Sequence, residues 1–467
     1  MPYKQPVLYI LSTLLFLVLT WILGYQIDRT QFFYLITHYG LFFFLYLAVF
    51  FYSQKKETIL FYTILGIGLR FLLIFAFPNF SDDIYRFIWD GRLLVNGINP
   101  FDHLPSYYIE QGVAVPGLTQ ELYDHLNSPN YFTVYPPINQ LLFAIAAYCS
   151  PNNFVGSSML LKGFLFLCEV GSIYLIIDLL RYFQLPEKNV LLYALNPLLI
   201  IEIMGNVHFE GAMIFFLLLS VWLIAVKDQL VLSAIAMACA IASKLLPLIF
   251  LPYFIWRLSV DKNNPLEQSS SLLFRWKTKL QTINWSKNIL FFGVLFGVLL
   301  ILFIPLFSGA FVSNFGTSLN LYFQKFEFNA SLYYLIRWLG FQYKGYNIIQ
   351  TLGPFLSIIV LISILWRVFN EINPNWRNLF PNLLFAICIY LFLALTIHPW
   401  YVALPIVCCL FTRFRFPILW SGLIFLTYIN YSYIDYFENL WMVGIEYLLV
   451  GTFALYEIFF FKIMNEK

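Results

Sequence analysis

The chain of 467 residues is 61% hydrophobic, 21% aromatic and only 11% charged, with a net charge of +3. A soluble domain carries roughly twice that share of charge, which excludes the soluble globular class. The basic residues are scattered over loops and segment ends, without the clustering that a nucleic-acid-binding face needs.

Apolar runs of about 18 to 25 residues, long enough to cross hydrocarbon as helices, recur from end to end and predict an all-α, polytopic transmembrane bundle. In chain order they fall near 7–24, 32–53, 58–78, 136–150, 158–180, 189–204, 209–226, 229–256, 288–309, 347–367, 378–397, 399–412, 416–432 and 441–462. The first lacks a small-residue cleavage site and is followed by further spans, so it is expected to be kept as an anchor. The run at 136–150 is short and opens on Pro136-Pro137, which suits a re-entrant segment as well as a span. The run at 229–256 is long and broken by Lys244 and Pro247, which suits two spans. The expected count is therefore about 12 to 14. The six cysteines (Cys149, Cys168, Cys239, Cys388, Cys408, Cys409) lie in or beside these runs without metal-ligand spacing, and read as small buried hydrophobes.

No fixed-period repeat divides the chain, which reads as one membrane-embedded unit over 1–467. N-terminal spans run to 78, an acidic outer loop occupies 79–134, and central spans follow at 135–256. A basic cytoplasmic loop at 257–287 precedes C-terminal spans at 288–467, which carry a second outer loop at 310–346.

Basic residues in short loops mark the cytoplasmic side of a membrane protein. Lys55, Lys56, Arg257, Lys262, Arg275, Lys277, Lys279, Lys287, Arg413, Arg415, Lys462 and Lys467 are assigned there, and the N-terminus with them. His398 and both long loops then face outward. The first loop is rich in acid (Asp82, Asp83, Asp90, Asp102, Glu110, Glu121, Asp124) and poor in base (Arg86, Arg92), as an outer loop should be. The middle admits two arrangements. If 136–150 crosses, Arg181 and Lys188 lie outside and His208 inside. If it only dips and 229–256 crosses twice, His208, Glu210 and Lys244 reach the outer side.

Chemistry concentrates in 79–101, directly after the third span, where Asp83, Arg86 and Asp90 fall at i, i+3 and i+7 on one helical face. Ile84, Phe87, Ile88 and Trp89 crowd the other side, so a short surface helix over 82–95 is expected, capped by Ser81, with its carboxylates turned to water. Acids in a first turn suit the helix dipole whatever the protein does. Yet charge gathered at a membrane edge is costly and marks a site. A carboxylate of this kind can deprotonate a hydroxyl, and an arginine one turn on can bind a phosphate bidentately.

The run Ser-Asp-Asp-Ile-Tyr-Arg-Phe-Ile-Trp-Asp-Gly-Arg followed by Asn-Gly-Ile-Asn-Pro-Phe resembles the first outer loop of GT-C membrane glycosyltransferases, closest to the bacterial polyprenol-phosphate-mannose-dependent mannosyltransferases. Tyr135-Pro136-Pro137-Ile138, Asn196-Pro197 with Asn206-Val207-His208-Phe209-Glu210, Ser243-Lys244-Leu245-Leu246-Pro247 and His398-Pro399-Trp400-Tyr401 resemble further pieces of that family, in order, over most of 79–405. In the family the acidic loop usually follows the first span; here it follows the third, as if two spans were added in front.

The resemblance implies an inverting transfer of a sugar, mannose in that family, from a polyprenyl-phosphate donor at the outer face of a bacterial inner membrane to a glycolipid or glycan acceptor. Asp83, or else Asp82, would be the general base. Arg86, Arg92 or Lys244 would stabilise the leaving phosphate, and His398 and Tyr401 would line the donor pocket, although His398 could equally cap a helix end beside Pro399. Asp90, Tyr135, His208 and Glu210 join them as substrate-binding candidates. Asn329 is either an acceptor contact or the cap of the helix carrying Tyr333, Tyr334 and Arg337. His208 and Glu210 are too few for a metal site, and no cofactor is expected. Glu169, Asp178, Glu202, Glu446 and Glu457 lie in or near spans without a spacing that assigns a role. A transporter or flippase of lipid-linked glycans would instead spread ionisable groups through mid-membrane and show related halves. A glycan polymerase or ligase would place its site in a large late loop.

Overall fold

The computed structural model describes residues 4–259, 276, 279–324, 326–372, 374–434 and 437–466. Lys262, Arg275, Lys277 and Lys467 lie outside the described residues. Among those described, the secondary structure is helical apart from one isolated bridge between Phe328 and Thr396. Seven helices are long and apolar enough to cross a membrane: Pro6–Tyr25, Phe32–Tyr52, Lys56–Phe75, Phe154–Tyr182, Trp285–Leu306, Ile349–Asn370 and Leu440–Phe460. A bent pair, Glu187–Ala194 with Leu199–Gly205, makes an eighth if taken as one span, and the other expected spans are apolar helices of 10–17 residues. The run at 229–256 is two helices, Leu230–Ser243 and Leu246–Ser259, as its internal Lys244 and Pro247 suggest.

The bend of 53° in the pair has a local cause. Pro197 has no N–H to give the preceding turn, and Asn196 Oδ1 accepts from Leu198 N at 3.0 Å instead. The carbonyls left open by the break are closed by Arg70, which donates to Ala194 O and, at 3.1 Å, to Tyr193 O. Arg70 is wholly buried and its charge is matched by Glu169 at 2.7 Å, which also accepts from the Tyr193 hydroxyl at 2.6 Å. An arginine at this depth is tolerable only with such complete pairing.

Contacts sort the helix ends into two groups. At one end Lys188 reaches Gln54 at 3.4 Å, Asn189 donates to Leu410 O at 2.7 Å, Arg257 pairs with Glu371, and Glu457 accepts from Arg415 N at 2.8 Å. At the other, Arg29 pairs with Asp82, Phe80 N donates to Asn206 Oδ1 at 3.0 Å, Lys244 pairs with Glu210 at 3.0 Å, and Asn99 donates to Leu306 O at 2.7 Å.

The segment at 136–150 does not pass between the two ends. Tyr135, just before the Pro137–Cys149 helix, packs on Phe87 at 4.9 Å, and Phe154, just after it, lies 5.9 Å from Tyr85. Both flanks therefore return to the start of one short helix, Asp83–Val95, and the segment is re-entrant. Gly91 allows the two helices to touch, since a Cβ there would sit 2.2 Å from Phe143 O. Of the two arrangements left open by the sequence, this is the one that puts His208, Glu210 and Lys244 at the same end as the acidic loop, with Arg181 and Lys188 at the opposite end beside Gln54.

Candidate functional site

The acidic segment is held from both sides. Phe80 N on Asn206 fastens it to the turn at 206–209, and Ser81 Oγ accepts from Asp83 N at 3.3 Å, which starts the Asp83–Val95 helix. The two adjacent carboxylates then diverge. Asp82 is ion-paired with Arg29, from the turn between the first two spans, whose guanidinium lies 4.8 Å over the Tyr431 ring. Asp83 has no ion pair among the described residues and accepts one side-chain hydrogen bond, from Asn127 Nδ2 at 2.9 Å. Both are partly exposed.

The rest of the helix corrects the expectation of carboxylates facing water. Asp90 is fully buried, accepting from Arg86 Nε at 2.9 Å and Gln140 Nε2 at 3.0 Å. Arg86 is 3% exposed and donates to the carbonyls of Ser128 and Tyr131 at 3.2 and 2.9 Å. Arg92 is likewise buried, donating to Gly117 O with its guanidinium over Phe154 at 5.2 Å. The polar stripe is real, but the loop at 117–131 folds over it and takes up its charge. Arg86, Asp90 and Arg92 thus hold the loop that presents Asn127 to Asp83.

Opposite the acids stands the turn at 206–209. It follows a π-helix, Leu199–Gly205, and contains Val207 at φ +61°, a conformation that a β-branched residue adopts only under constraint. Strain and π-winding at one place are characteristic of functional segments. His208 emerges there, 2% exposed, and stacks on Trp400 at 3.6 Å. Trp400 stacks in turn on His398 at 4.5 Å, and His398 on Phe328 at 4.8 Å, giving a four-ring pile. Tyr401 meets His398 edge-on at 5.5 Å. Burial pulls the His208 ring down to about 4, against the opposing influence of Glu210 and Asp83, and takes His398 down to about 3.

Glu202 lies beneath, accepting from the Tyr428 hydroxyl at 2.6 Å and Asn206 Nδ2 at 3.2 Å. His208 Nε2 is 3.4 Å from Glu202 Oε2, which is an ion pair only for a protonated ring. With the ring neutral, His208 Nε2 is buried without a hydrogen-bond partner among the described residues, and so is Glu210 Oε2. Glu210 Oε1 faces Lys244, whose side chain is 25% exposed. Buried polar atoms are normally satisfied, so two orphans beside a half-open cation indicate a place that a polar ligand completes.

Tyr135 sits further along, against Phe87 and Phe143. Asn329 is fully buried and turned to the C-terminal helix, its amide 3.3 Å from Glu446, so the structure does not bring its side chain to the acids. No group of three or more metal-ligating residues occurs among the described residues. Sequence reasoning missed Arg29, Asn127, Glu202 and the Trp400 stack. Arg29 had one usable signal, as a lone base at the span end shared with the acidic loop, away from the basic loops.

The fold is that of a polytopic all-α membrane protein with a polar site at one end of its bundle, and its motifs resemble GT-C mannosyltransferases. Residues 70–260 match the family model described as alpha-(1->6)-mannopyranosyltransferase, N-terminal domain. The chain is 28% identical over 192 residues to alpha-(1->6)-mannopyranosyltransferase A of Mycobacterium tuberculosis, and 24% identical over 188 residues to the protein of that name from Corynebacterium glutamicum. Each match covers 39% of this chain, and the chain spans about a third of those relatives, 34% and 36%. The family match takes in the acidic loop, the His208 turn and Lys244, and stops short of His398 and Tyr401.

Proposed function

We propose that the protein is an integral membrane glycosyltransferase that moves a sugar, mannose by its similarity to the relatives above, from a polyprenyl-phosphate donor to an acceptor hydroxyl at the outer face of the membrane. The observation that carries this reading is that His208, on the turn at 206–209, lies within electrostatic reach of Asp83, Glu210 and Lys244, while its Nε2 and Glu210 Oε2 are buried without a hydrogen-bond partner among the described residues.

Asp83 takes the proton of the acceptor hydroxyl, whose oxygen attacks the anomeric carbon as the bond from that carbon to the phosphate oxygen breaks. One in-line displacement inverts the centre, and the departing charge goes to the lipid phosphate. Lys244 matches that charge, because a cation already in place needs no reorganisation as the bond breaks. Glu210 Oε2 accepts from a sugar hydroxyl, and His208 Nε2 bonds a second. Arg29 already pairs with Asp82, which leaves Asp83 the carboxylate free to take the proton and makes Asp82 its electrostatic neighbour. Arg86 and Arg92 act at one remove, by holding the loop around Asn127.

The test is donor choice by purified protein in lipid. Polyprenyl-phosphate mannose should give product with inverted anomeric configuration by NMR, and nucleotide-linked mannose should give none. Lys244→Met should raise the donor KM or lower kcat by about 10²-fold, the scale of one lost oxyanion-type donor. Transfer from the nucleotide sugar, or product of retained configuration, would overturn the proposal.

A further inference from the structure

Asn329 has an unusual setting for a residue in an outer loop. It is fully buried, and its φ of +47° is one that side chains other than glycine adopt with strain. Its N–H, its carbonyl and its amide Nδ2 each bond the C-terminal part of the chain, Nδ2 reaching the Tyr447 hydroxyl at 3.5 Å as well as Glu446. Its N–H donates to Glu438, its carbonyl accepts from the Tyr447 hydroxyl at 2.7 Å, and its amide Nδ2 lies 3.3 Å from both oxygens of Glu446. Glu446 is itself fully buried in the Leu440–Glu466 helix and accepts from Trp420 Nε1 at 2.8 Å.

Directly before Asn329 the chain pairs with the site. Phe328 N donates to Leu395 O at 3.1 Å, and Ile397 N donates to Phe328 O at 2.8 Å. Thr396 Oγ1 donates to Phe326 O at 2.9 Å, and the Phe328 ring lies on His398. This bridge is the isolated piece of β pairing in the described fold, so nothing beside it in a sheet holds it in register.

We propose that Glu446 is a positioning residue. Through Asn329 it holds Phe328 and the His398 turn in register, and so keeps the His398, Trp400 and His208 rings stacked beside the acids. A carboxylate buried in a span is costly and persists where it has a task. Here the task is to clamp a strained loop whose other face is the wall of the site. The claim about activity rests on the glycosyltransferase reading; the claim about the clamp does not.

Backbone hydrogen exchange on the full chain in lipid, read at 326–331 and 395–398, separates the two. Glu446→Leu removes both acceptors, and Asn329→Gly removes the amide while suiting the positive φ. Each should raise exchange in both segments by roughly tenfold or more, as local opening replaces a clamped bridge. Glu446→Gln, which keeps an acceptor oxygen, should stay within about twofold of wild type, and exchange at the Arg70 end of the bundle should not change in any variant. In the transfer assay, Asn329→Gly should raise the donor KM by about tenfold with kcat nearly constant, the pattern of lost ground-state positioning. Unchanged exchange in Asn329→Gly overturns the clamp, whether or not Glu446→Leu folds. Raised exchange with unchanged transfer constants overturns the positioning role. If wild type transfers nothing, the glycosyltransferase reading fails alone, and exchange still decides the clamp.

Discussion

At the scale of single residues, the two neighbouring acids differ through their partners. Asp82 is ion-paired with Arg29, whereas among the described residues the Asp83 carboxylate accepts one side-chain hydrogen bond, from the neutral amide of Asn127. Removing Asn127 should therefore act through Asp83. Asn127→Ala is expected to lower kcat by about tenfold with little change in KM, a fraction of what a general base contributes. The histidines carry a separate prediction. Both are held neutral by burial and titrate near 6.5 when released, so acid protonates the unfolded chain first. The stability they contribute is complete above pH 6.5 and is lost as pH falls towards about 4. Thermal unfolding in detergent at pH 7 and pH 5 should show a smaller acid loss in His208→Asn than in wild type.

At the scale of elements, the Asp83–Val95 helix shows what periodicity conveys and what it omits. Its bounds and polar stripe are plain from Asp83, Arg86 and Asp90 at their helical spacing. Which neighbour covers that stripe is not, because the covering loop at 117–131 is polar enough to pass for a solvent-exposed segment. Its ties to Arg86 and Arg92 run through backbone carbonyls, which leave no mark in sequence. The stripe consequently has a structural as well as a chemical meaning, and variants distinguish them. Asp90→Ala leaves Arg86 buried without its counter-ion and should cost about 3–5 kcal/mol, seen as lost folded yield in detergent. Asp83→Asn, at a partly exposed position, should fold as wild type does. Gly91→Ala should also destabilise, since the added carbon meets the backbone of the re-entrant helix.

At the scale of the whole molecule, the helical class and the seven long spans follow from hydrophobic length, whereas the bend at Asn196-Pro197, inside the single span expected at 189–204, was not anticipated. The re-entrant course of 136–150 is one of two readings the sequence admits, because a mostly apolar helix of 13 residues fits either a dip or a short crossing. Only the return of both flanks to one helix separates them, and that is a long-range fact. The motifs around His208, Lys244 and His398 were legible as pieces. Their assembly at one end was not, since it depends on that course. Sidedness can be read by labelling. With exposed Cys149 replaced by alanine, a cysteine at Gln111 should react with an impermeant thiol reagent in intact cells, and one at Arg413 only after permeabilisation. The reverse pattern would put the acidic loop in the cytoplasm.

The central claim is that Asp83 is the base in transfer from a polyprenyl-phosphate sugar. Its most direct measurement is single-turnover transfer by wild type, Asp83→Asn and Asp82→Asn in lipid, with donor bound to saturation. Loss of roughly 10²–10⁴-fold in Asp83→Asn, with a smaller loss in Asp82→Asn, is the predicted result. Turnover by Asp83→Asn close to wild type would contradict it.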